Sequence, residues 1–279
     1  MRARWMAPIL VVMAGCSLLV DTGGLDEAPP NAGDASSSDA AAPTTDAGAD
    51  SPHPTPGDDD DDDAGLDADA DAGPALPRIV GDWPFDDGTG TLLTDVSGRD
   101  HHGLIFGAGE WVADRAGTAG HAYELKVSSD YISVAASSDF DRPENASFSM
   151  AAWMRTSEAC SHDMFFAVKL GNNNAFGLEL LSSTELTYYD GDNHVGTSTV
   201  PNVVGPWHHY ALVVEGNVVR LYFDGVRVGQ GTPSTRSRKA GPVLFGGYHS
   251  GERLVGAIDQ ARFFRVALTD AEVLAEKNR

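Results

Sequence analysis

The sequence predicts an all-β domain over residues 78–279, built as a two-sheet antiparallel sandwich of the jelly-roll type. Short apolar or alternating runs recur about every ten to twenty residues, and turn-forming residues separate them. Roughly 200 residues are enough for one domain with a substantial core. Because such runs stack as two layers, we expect strands within 79–85, 102–107, 131–134, 147–154, 164–170, 176–181, 185–189, 208–214, 218–224, 226–231, 242–247 and 254–266.

Residues 208–224 are predicted to form a hairpin in the middle of this sandwich. Val219, Leu221 and Phe223 occupy alternate positions, so their side chains lie on one face of a strand and should enter the core. Asp224 is followed by glycine, a pair that favours tight turns between neighbouring strands. We therefore interpret Asp224 as a turn residue and not as a catalyst.

The C-terminal end carries the helical signal. Thr269 and Glu272 have the spacing of a capping box, and helix-forming residues follow them. This pattern predicts a helix of one or two turns that caps the sandwich.

The first 15 residues have the pattern of a secretory signal. Two arginines precede an apolar run of about ten residues, which is too short to span a bilayer and suits a signal peptide. The small residues before Cys16 resemble the lipobox of bacterial lipoproteins, which implies that residues 1–15 are removed and that Cys16 carries lipid. Ser17 favours the outer membrane by analogy, on either its periplasmic or its surface side. The alternative is an ordinary secretory signal with an incidental cysteine.

Residues 16–77 are expected to form a disordered acidic linker. Between residues 17 and 76 there are sixteen acidic residues, no lysine or arginine and no aromatic residue, in a chain of net charge −22. Such a segment buries too little apolar surface to order itself, and its like charges keep it extended. One aspartate run begins like a calcium-binding EF-hand loop, but its glycine and closing glutamate positions do not fit. The charge also argues against nucleic acid as a partner.

Five segments of the C-terminal part, in this order, resemble the laminin G-like, concanavalin A-like jelly-roll domains of bacterial secreted proteins. The resemblance covers residues 80–276 and implies the same fold. It does not fix the function, because this fold serves sugar binding, protein adhesion and enzymes alike. The segments are WPFDDGTGTLLTDVSGRDHHG (83–103), SSDYISV (128–134), SFSMAAWM (147–154), WHHYALVVEGNVVRLYFDGV (207–226) and GAIDQARFFRVALTDAEV (256–273).

The resemblance also implies a structural Ca²⁺ ion that ties the start of the domain to its last long strand. The matching positions are Asp95 and Asp259. Calcium takes six to eight oxygen ligands, so backbone carbonyls around residues 100–103 and water would complete the site. The alternative is that Asp95 forms an Asx-turn with Ser97 and that Asp259 caps a strand edge.

The sequence shows no recognisable catalytic pattern. Sandwich enzymes that cleave β-glucans carry Glu-x-Asp-x-(x)-Glu on one strand, and this chain has no such run. It also has no Gly-x-Ser-x-Gly segment. The acidic neighbours of Cys160 raise a thiol pKa, so an inert thiol is expected. We therefore predict no enzymatic activity, with a glycoside hydrolase or its accessory module as the less favoured alternative.

The favoured function is a non-catalytic, envelope-anchored recognition module that binds carbohydrate. Aromatic rings stack on sugars, while amides and carboxylates bind their hydroxyls. Adjacent strand residues face opposite ways, so one of two neighbouring tyrosines can equally belong to the core. The alternative function is a structural or adhesive lipoprotein with an envelope or extracellular protein as its partner. The candidate ligand-binding residues are Tyr188, Tyr189, Asp190, Asn193 and His194.

Overall fold

The computed structural model describes residues 78–170, 174–191, 193–234, 237–247 and 253–279. The signal peptide (1–15), Cys16 and the linker (16–77) lie outside these residues and remain predictions. A 3-10 turn spans Ser138–Phe140. The strands and the helix are β1 (Ile79–Trp83), β2 (Leu92–Leu93), β3 (Gly103–Phe106), β4 (Glu110–Val112), β5 (Ala122–Leu125), β6 (Tyr131–Val134), β7 (Phe148–Thr156), β8 (Asp163–Leu170), β9 (Asn174–Ser182), β10 (Glu185–Tyr189), β11 (His194–Thr199), β12 (His208–Glu215), β13 (Val218–Phe223), β14 (Val226–Gly231), β15 (Val243–Phe245), β16 (Gly256–Phe264) and α1 (Asp270–Lys277).

The strands form two antiparallel sheets of eight strands each. Sheet 1 has the order β14-β13-β12-β7-β16-β5-β4, and β1 also pairs with β16. Sheet 2 has the order β11-β10-β9-β8-β15-β6-β3-β2. Some neighbours, such as β7 beside β12 and β16, come from distant parts of the sequence, as in a jelly roll. The predicted two-sheet jelly-roll sandwich is confirmed.

Aromatic side chains join the two sheets at the centre of the core. Trp83 of β1 is fully buried, and its ring centroid lies 5.2 Å from that of Phe245 and 6.1 Å from that of Phe166, both in sheet 2. Its indole N–H donates to the backbone carbonyl of His101 at 2.8 Å. Such ring pairs stabilise a core by about 0.5–1.5 kcal/mol beyond their buried area.

The predicted hairpin is formed by β12 and β13. Val219, Leu221 and Phe223 are buried in the core between the sheets, as the alternation indicates. Tyr222 points to the other face and is nevertheless fully buried, because that face carries a second, smaller apolar cluster. Sheet 1 is therefore covered on both of its sides in this region.

Helix α1 provides the cover on the outer side of sheet 1. The predicted capping box is present, since the Thr269 hydroxyl accepts from the backbone N–H of Glu272 and the Glu272 carboxylate accepts from that of Thr269. Val273 is buried in the second apolar cluster, and Asp270 accepts a hydrogen bond of 2.6 Å from the Tyr222 hydroxyl. In the part of the chain that the structure describes, no helix is long and apolar enough to cross a membrane.

Candidate functional site

Asp95, the first predicted calcium ligand, is saturated with hydrogen bonds. Its Oδ1 atom accepts from the backbone N–H groups of Asp82 and Ser97, each at 2.9 Å. Its Oδ2 atom accepts from the Ser97 hydroxyl at 2.7 Å and from the backbone N–H of His101 at 2.9 Å. Burial raises the pKa of this carboxyl, but the donors outweigh burial and hold it below its ordinary value. Asp95 therefore organises the turn after β2, which is the Asx-turn alternative.

Asp259, the second predicted ligand, is paired with a cation of the protein itself. Its Oδ2 atom lies 2.7 Å from a guanidinium nitrogen of Arg115, which also contacts Gln260 and lies over the ring of Trp153. Burial raises the pKa of Asp259 to about 7, although Arg115 lowers it. The oxygens of Asp95 thus already accept hydrogen bonds, and the carboxylate of Asp259 is already paired with a positive charge. A calcium ion would need these oxygens to be free to coordinate it. The arrangement does not fit a calcium ion shared by these two residues, and calcium binding by the chain stays a prediction.

Two of the five predicted ligand-binding residues lie inside the protein. Tyr188 is fully buried, and its hydroxyl accepts a hydrogen bond of 2.5 Å from Arg142. Asp190 is also buried, and its oxygens accept from the backbone N–H groups of Asn193 and Ser234. The structure therefore does not place either residue to contact a ligand. Alternation on β10 directs Tyr188 into the core, and Asp190 holds the backbone of the turn that follows β10.

Of the other three, Tyr189 and His194 lie on the side of sheet 2 that faces away from the core, and Asn193 directly precedes His194 in the turn between β10 and β11. Tyr189 pairs with His194 across β10 and β11, with ring centroids 5.3 Å apart. Asn193 and His194 are exposed, and Tyr189 is half-buried. An aromatic ring, an amide and an imidazole are therefore within reach of a ligand at one end of this face.

A single row of paired residues crosses this outer face of sheet 2. Each pair in the register lies directly opposite across neighbouring strands, so all members share one face. The centre of the row is buried, while Leu104 at one end and His194 at the other are exposed. The row is Leu104, Ser133, Leu244, Ala167, Gly177, Tyr189 and His194.

At the Tyr189 and His194 end, a buried carboxylate lies between two histidines. The Oε1 atom of Glu179 lies 3.1 Å from Nδ1 of His162, and its Oε2 atom lies 3.2 Å from Nε2 of His194. Within the described ranges, these three side chains form the one group of three or more acidic, cysteine or histidine residues whose ligand atoms lie within 4.8 Å of one another. Sequence reasoning missed this group, because its members come from a loop and from two strands that the chain does not place in succession.

The opposite end of the outer face is apolar, and sequence reasoning missed it too. Phe106 and Tyr131 stack with their ring centroids 4.8 Å apart, and the Arg253 guanidinium lies 5.0 Å from the Tyr131 ring. Leu104 and Phe106 are 54% and 41% exposed, and Leu92 on the neighbouring strand is 46% exposed. The alternation in HGLIFG could have indicated that Leu104 and Phe106 share a face opposite Ile105.

The outer side of sheet 1 carries two small cavities. A cavity of about 190 Å³ lies between α1 and Ile79, Phe264 and Leu268. A second cavity of about 120 Å³ is lined by charged and polar residues that include Arg262 and Glu276. Both are smaller than the roughly 300 Å³ at which small-molecule sites begin, so neither is a favoured ligand site.

Comparison with known proteins agrees with this architecture. A family model described as the concanavalin A-like lectin/glucanases superfamily matches residues 126–274, which are 149 of the 279 residues. This match confirms the resemblance found in the sequence. No protein with a curated description matches the chain.

Several solved structures share the fold. Domain 4 of AbnA, a GH43 extracellular arabinanase from Geobacillus stearothermophilus solved with arabinotriose, is 20% identical with a TM-score of 0.57, covering 72% of this chain and 98% of that one. The binding domain of botulinum neurotoxin DC, solved with rat synaptotagmin II, is 14% identical with a TM-score of 0.56, covering 72% and 51%. The Trypanosoma rangeli sialidase with sialic acid is 13% identical with a TM-score of 0.54, covering 71% and 32%.

These similarities establish the fold and nothing finer, since every identity is low. The matched region spans about half of the toxin binding domain and a third of the sialidase.

Proposed function

We propose that this chain, which belongs to the concanavalin A-like lectin/glucanases superfamily, is a non-catalytic module that binds carbohydrate on the outer face of sheet 2. The observation that carries the proposal is the pairing of Tyr189 with His194 at one end of that face, next to the exposed Asn193 of the preceding turn. Sugars present apolar C–H faces and a ring of hydroxyls, so they need an aromatic surface beside amide or imidazole groups. Those groups lie side by side here.

The surroundings of the carboxylates support binding without cleavage. Glycoside hydrolysis needs two carboxyl groups on either side of an open sugar site. Asp163 and Glu179 are the acidic residues of β8 and β9 nearest this end, and both are buried. Each Glu179 oxygen already faces an imidazole. Neither carboxylate is presented to a bound sugar ring.

Two structural relatives support a sugar as the ligand. The arabinanase domain was solved with arabinotriose and the sialidase with sialic acid. These two sugars are therefore the first members of the panel on which this protein is tested.

The second candidate is a protein partner, and the other end of the face favours it. Leu92, Leu104 and Phe106 form an exposed apolar group on β2 and β3. Exposed apolar groups of this kind are typical of protein interfaces. One structural relative, the neurotoxin binding domain, was solved with synaptotagmin.

One pair of double variants separates the two candidates. Asn193→Ala with His194→Ala removes the polar groups of one end, and Leu104→Ser with Phe106→Ser removes the apolar group of the other. Calorimetric titration with a glycan panel should show binding that the first double variant weakens roughly tenfold or more, about 1.4 kcal/mol. The second double variant should leave it unchanged, and no reducing sugar should be released.

The opposite result would favour a protein partner as the ligand. A panel without binding, together with an envelope protein that is captured by the unaltered chain and lost with Leu104→Ser and Phe106→Ser, would replace the carbohydrate proposal by adhesion.

The envelope location is a further part of the proposal. It rests on the signal-like residues 1–15, on Cys16 and on the acidic spacer 16–77. Metabolic labelling with radioactive palmitate should mark the unaltered chain and not Cys16→Ser. Equal labelling of the two chains would contradict a lipid anchor at Cys16.

A further inference from the structure

We propose that His162, Glu179 and His194 form a binding site for a divalent transition-metal ion, with Zn²⁺ as the best-fitting ion. The site would lie on the outer face of sheet 2, at its β9–β11 end. It does not depend on carbohydrate binding, because the metal is measured without any sugar.

The ligand atoms are close to the spacing that a zinc ion requires. Zinc binds histidine nitrogen and carboxylate oxygen at about 2.0–2.2 Å in a tetrahedral arrangement, so its ligands lie about 3.3 Å apart. The two distances from Glu179, to Nδ1 of His162 and to Nε2 of His194, are 3.1 and 3.2 Å. All three ligand atoms lie within 4.8 Å of one another. The two short distances involve different oxygens of the carboxylate, so modest side-chain rotations have to bring one oxygen and the two nitrogens to zinc spacing.

The two histidines have the freedom to make that adjustment. The side chains of His162 and His194 are 52% and 36% exposed, whereas that of Glu179 is 5% exposed. Glu179 is held on β9 opposite Met164 and Thr187 of the neighbouring strands. A fixed buried carboxylate with two rotatable imidazoles above it is a partly preorganised site.

Local structure brings both rings to the carboxylate. His162 adopts a left-handed backbone conformation with φ of +60° just before β8, which is uncommon for a residue other than glycine. The ring of His194 packs against that of Tyr189 with centroids 5.3 Å apart.

The donor set selects the class of ion. Imidazole nitrogen suits zinc, iron, nickel and copper, while calcium and magnesium prefer sites made wholly of oxygen. Two imidazoles and one carboxylate leave at least one coordination position to water or a small ligand. In the absence of a metal, the same short distances are hydrogen bonds in which each ring donates to one carboxylate oxygen. Metal binding displaces the proton from each of these nitrogens, and in a neutral ring that proton moves to the other ring nitrogen.

The test is calorimetric titration of the EDTA-treated and dialysed full chain with ZnCl₂, without sugar. One site per chain is expected, and loading with Co²⁺ should give visible absorption bands of a nitrogen- and oxygen-ligated ion. His194→Ala should weaken zinc binding on the order of 100-fold, and Glu179→Gln should do the same. Zinc held by the acidic segment 16–77 is a background common to every variant.

The matched control is His121→Ala. His121 is also a partly exposed histidine beside a carboxylate, since its Nδ1 atom lies 2.7 Å from Asp86, but it has no third ligand in the described structure. This variant should bind zinc as the unaltered chain does. If the buried Glu179→Gln variant fails to fold, His194→Ala alone decides.

An unchanged zinc affinity in His194→Ala would overturn the proposal, as would an equal loss in His121→Ala. Titration with CaCl₂ should show no binding that depends on His194, and calcium binding lost in His194→Ala would contradict the chosen class of ion.

Discussion

Asp224 fixes the start of β12 to the turn that follows β13. Its Oδ1 atom accepts a hydrogen bond of 2.9 Å from the backbone N–H of His209, and its Oδ2 atom lies 2.8 Å from Nδ1 of His208. Asp224 itself has a left-handed backbone with φ of +50°. The turn residue predicted from Asp224-Gly225 therefore also carries hydrogen bonds to the neighbouring strand.

This relationship predicts a graded loss of stability at one position. Asp224→Ala loses both hydrogen bonds and places alanine in a left-handed conformation, so the free energy of unfolding should fall by about 2–4 kcal/mol. Asp224→Asn keeps an acceptor and tolerates that conformation, so its loss should be smaller by about 1 kcal/mol or more. Urea denaturation measures both. Equal losses in the two variants would contradict the account of the turn.

Tyr188 should matter for stability and not for ligand binding. Tyr188→Phe keeps the ring but removes the acceptor of the buried Arg142 donor. An unfolding free energy lower by about 1–3 kcal/mol is expected, because a buried donor then loses a partner. Tyr131→Phe is the control at a half-buried tyrosine on the outer face and should change stability by less than about 0.5 kcal/mol. A change in glycan affinity in Tyr188→Phe would restore Tyr188 as a site residue.

Asp259 should make stability depend on pH near neutrality. Burial raises the pKa of Asp259 to about 7 in the folded chain, above its ordinary value of 3.8. A carboxyl with a raised pKa contributes stability that is fully present at acid pH and is lost as the pH rises through 7. Burial lowers the pKa of His209 to about 4, and this group changes stability in the opposite direction over part of the same range. The decline is therefore measured as the difference in unfolding free energy between the unaltered chain and Asp259→Asn, which should fall between about pH 4 and 7 with a slope of at most about 1.4 kcal/mol per pH unit. A difference that does not change with pH would show that Arg115 keeps the carboxylate ionised throughout.

Cys160 should be chemically inert in the folded protein. It is 7% exposed, and burial together with the charge of Asp163 raises the pKa of its thiol to about 11. In a Cys16→Ser chain, reaction with a disulfide reagent at pH 8 should be on the order of 100-fold slower than after unfolding in urea, because the thiolate is the reactive form. Comparable rates in the two states would mean that the thiol is accessible and activated.

Sequence patterns were sufficient for most of the fold, because alternation and turn residues are local signals. All twelve of the expected runs contain a strand, and the capping box is present at Thr269. The pattern did not reveal β2, β4, β5 and β11. Strand β2 has two residues, and β11 carries the polar run HVGTST at the edge of sheet 2, where burial imposes no apolar alternation.

The candidate site was predicted only in part for a different reason. Tyr189 and His194 were found because they lie close in sequence. The contact between His162, Glu179 and His194 depends on the register of four strands, and that register shifts between Met164 and Phe166. Irregularities of this kind are not visible in a single sequence, and a shift of one residue moves a side chain to the opposite face.

The most direct test of the central claim is to map the bound sugar on the protein by NMR. The chain is labelled with ¹⁵N and titrated with the tightest-binding member of the glycan panel. Carbohydrate binding on the outer face of sheet 2 predicts saturable shifts that are concentrated in β10 and β11, with the largest at Tyr189, Asn193 and His194. Shifts centred instead on Leu104 and Phe106, on α1, or nowhere at saturating sugar would contradict the account.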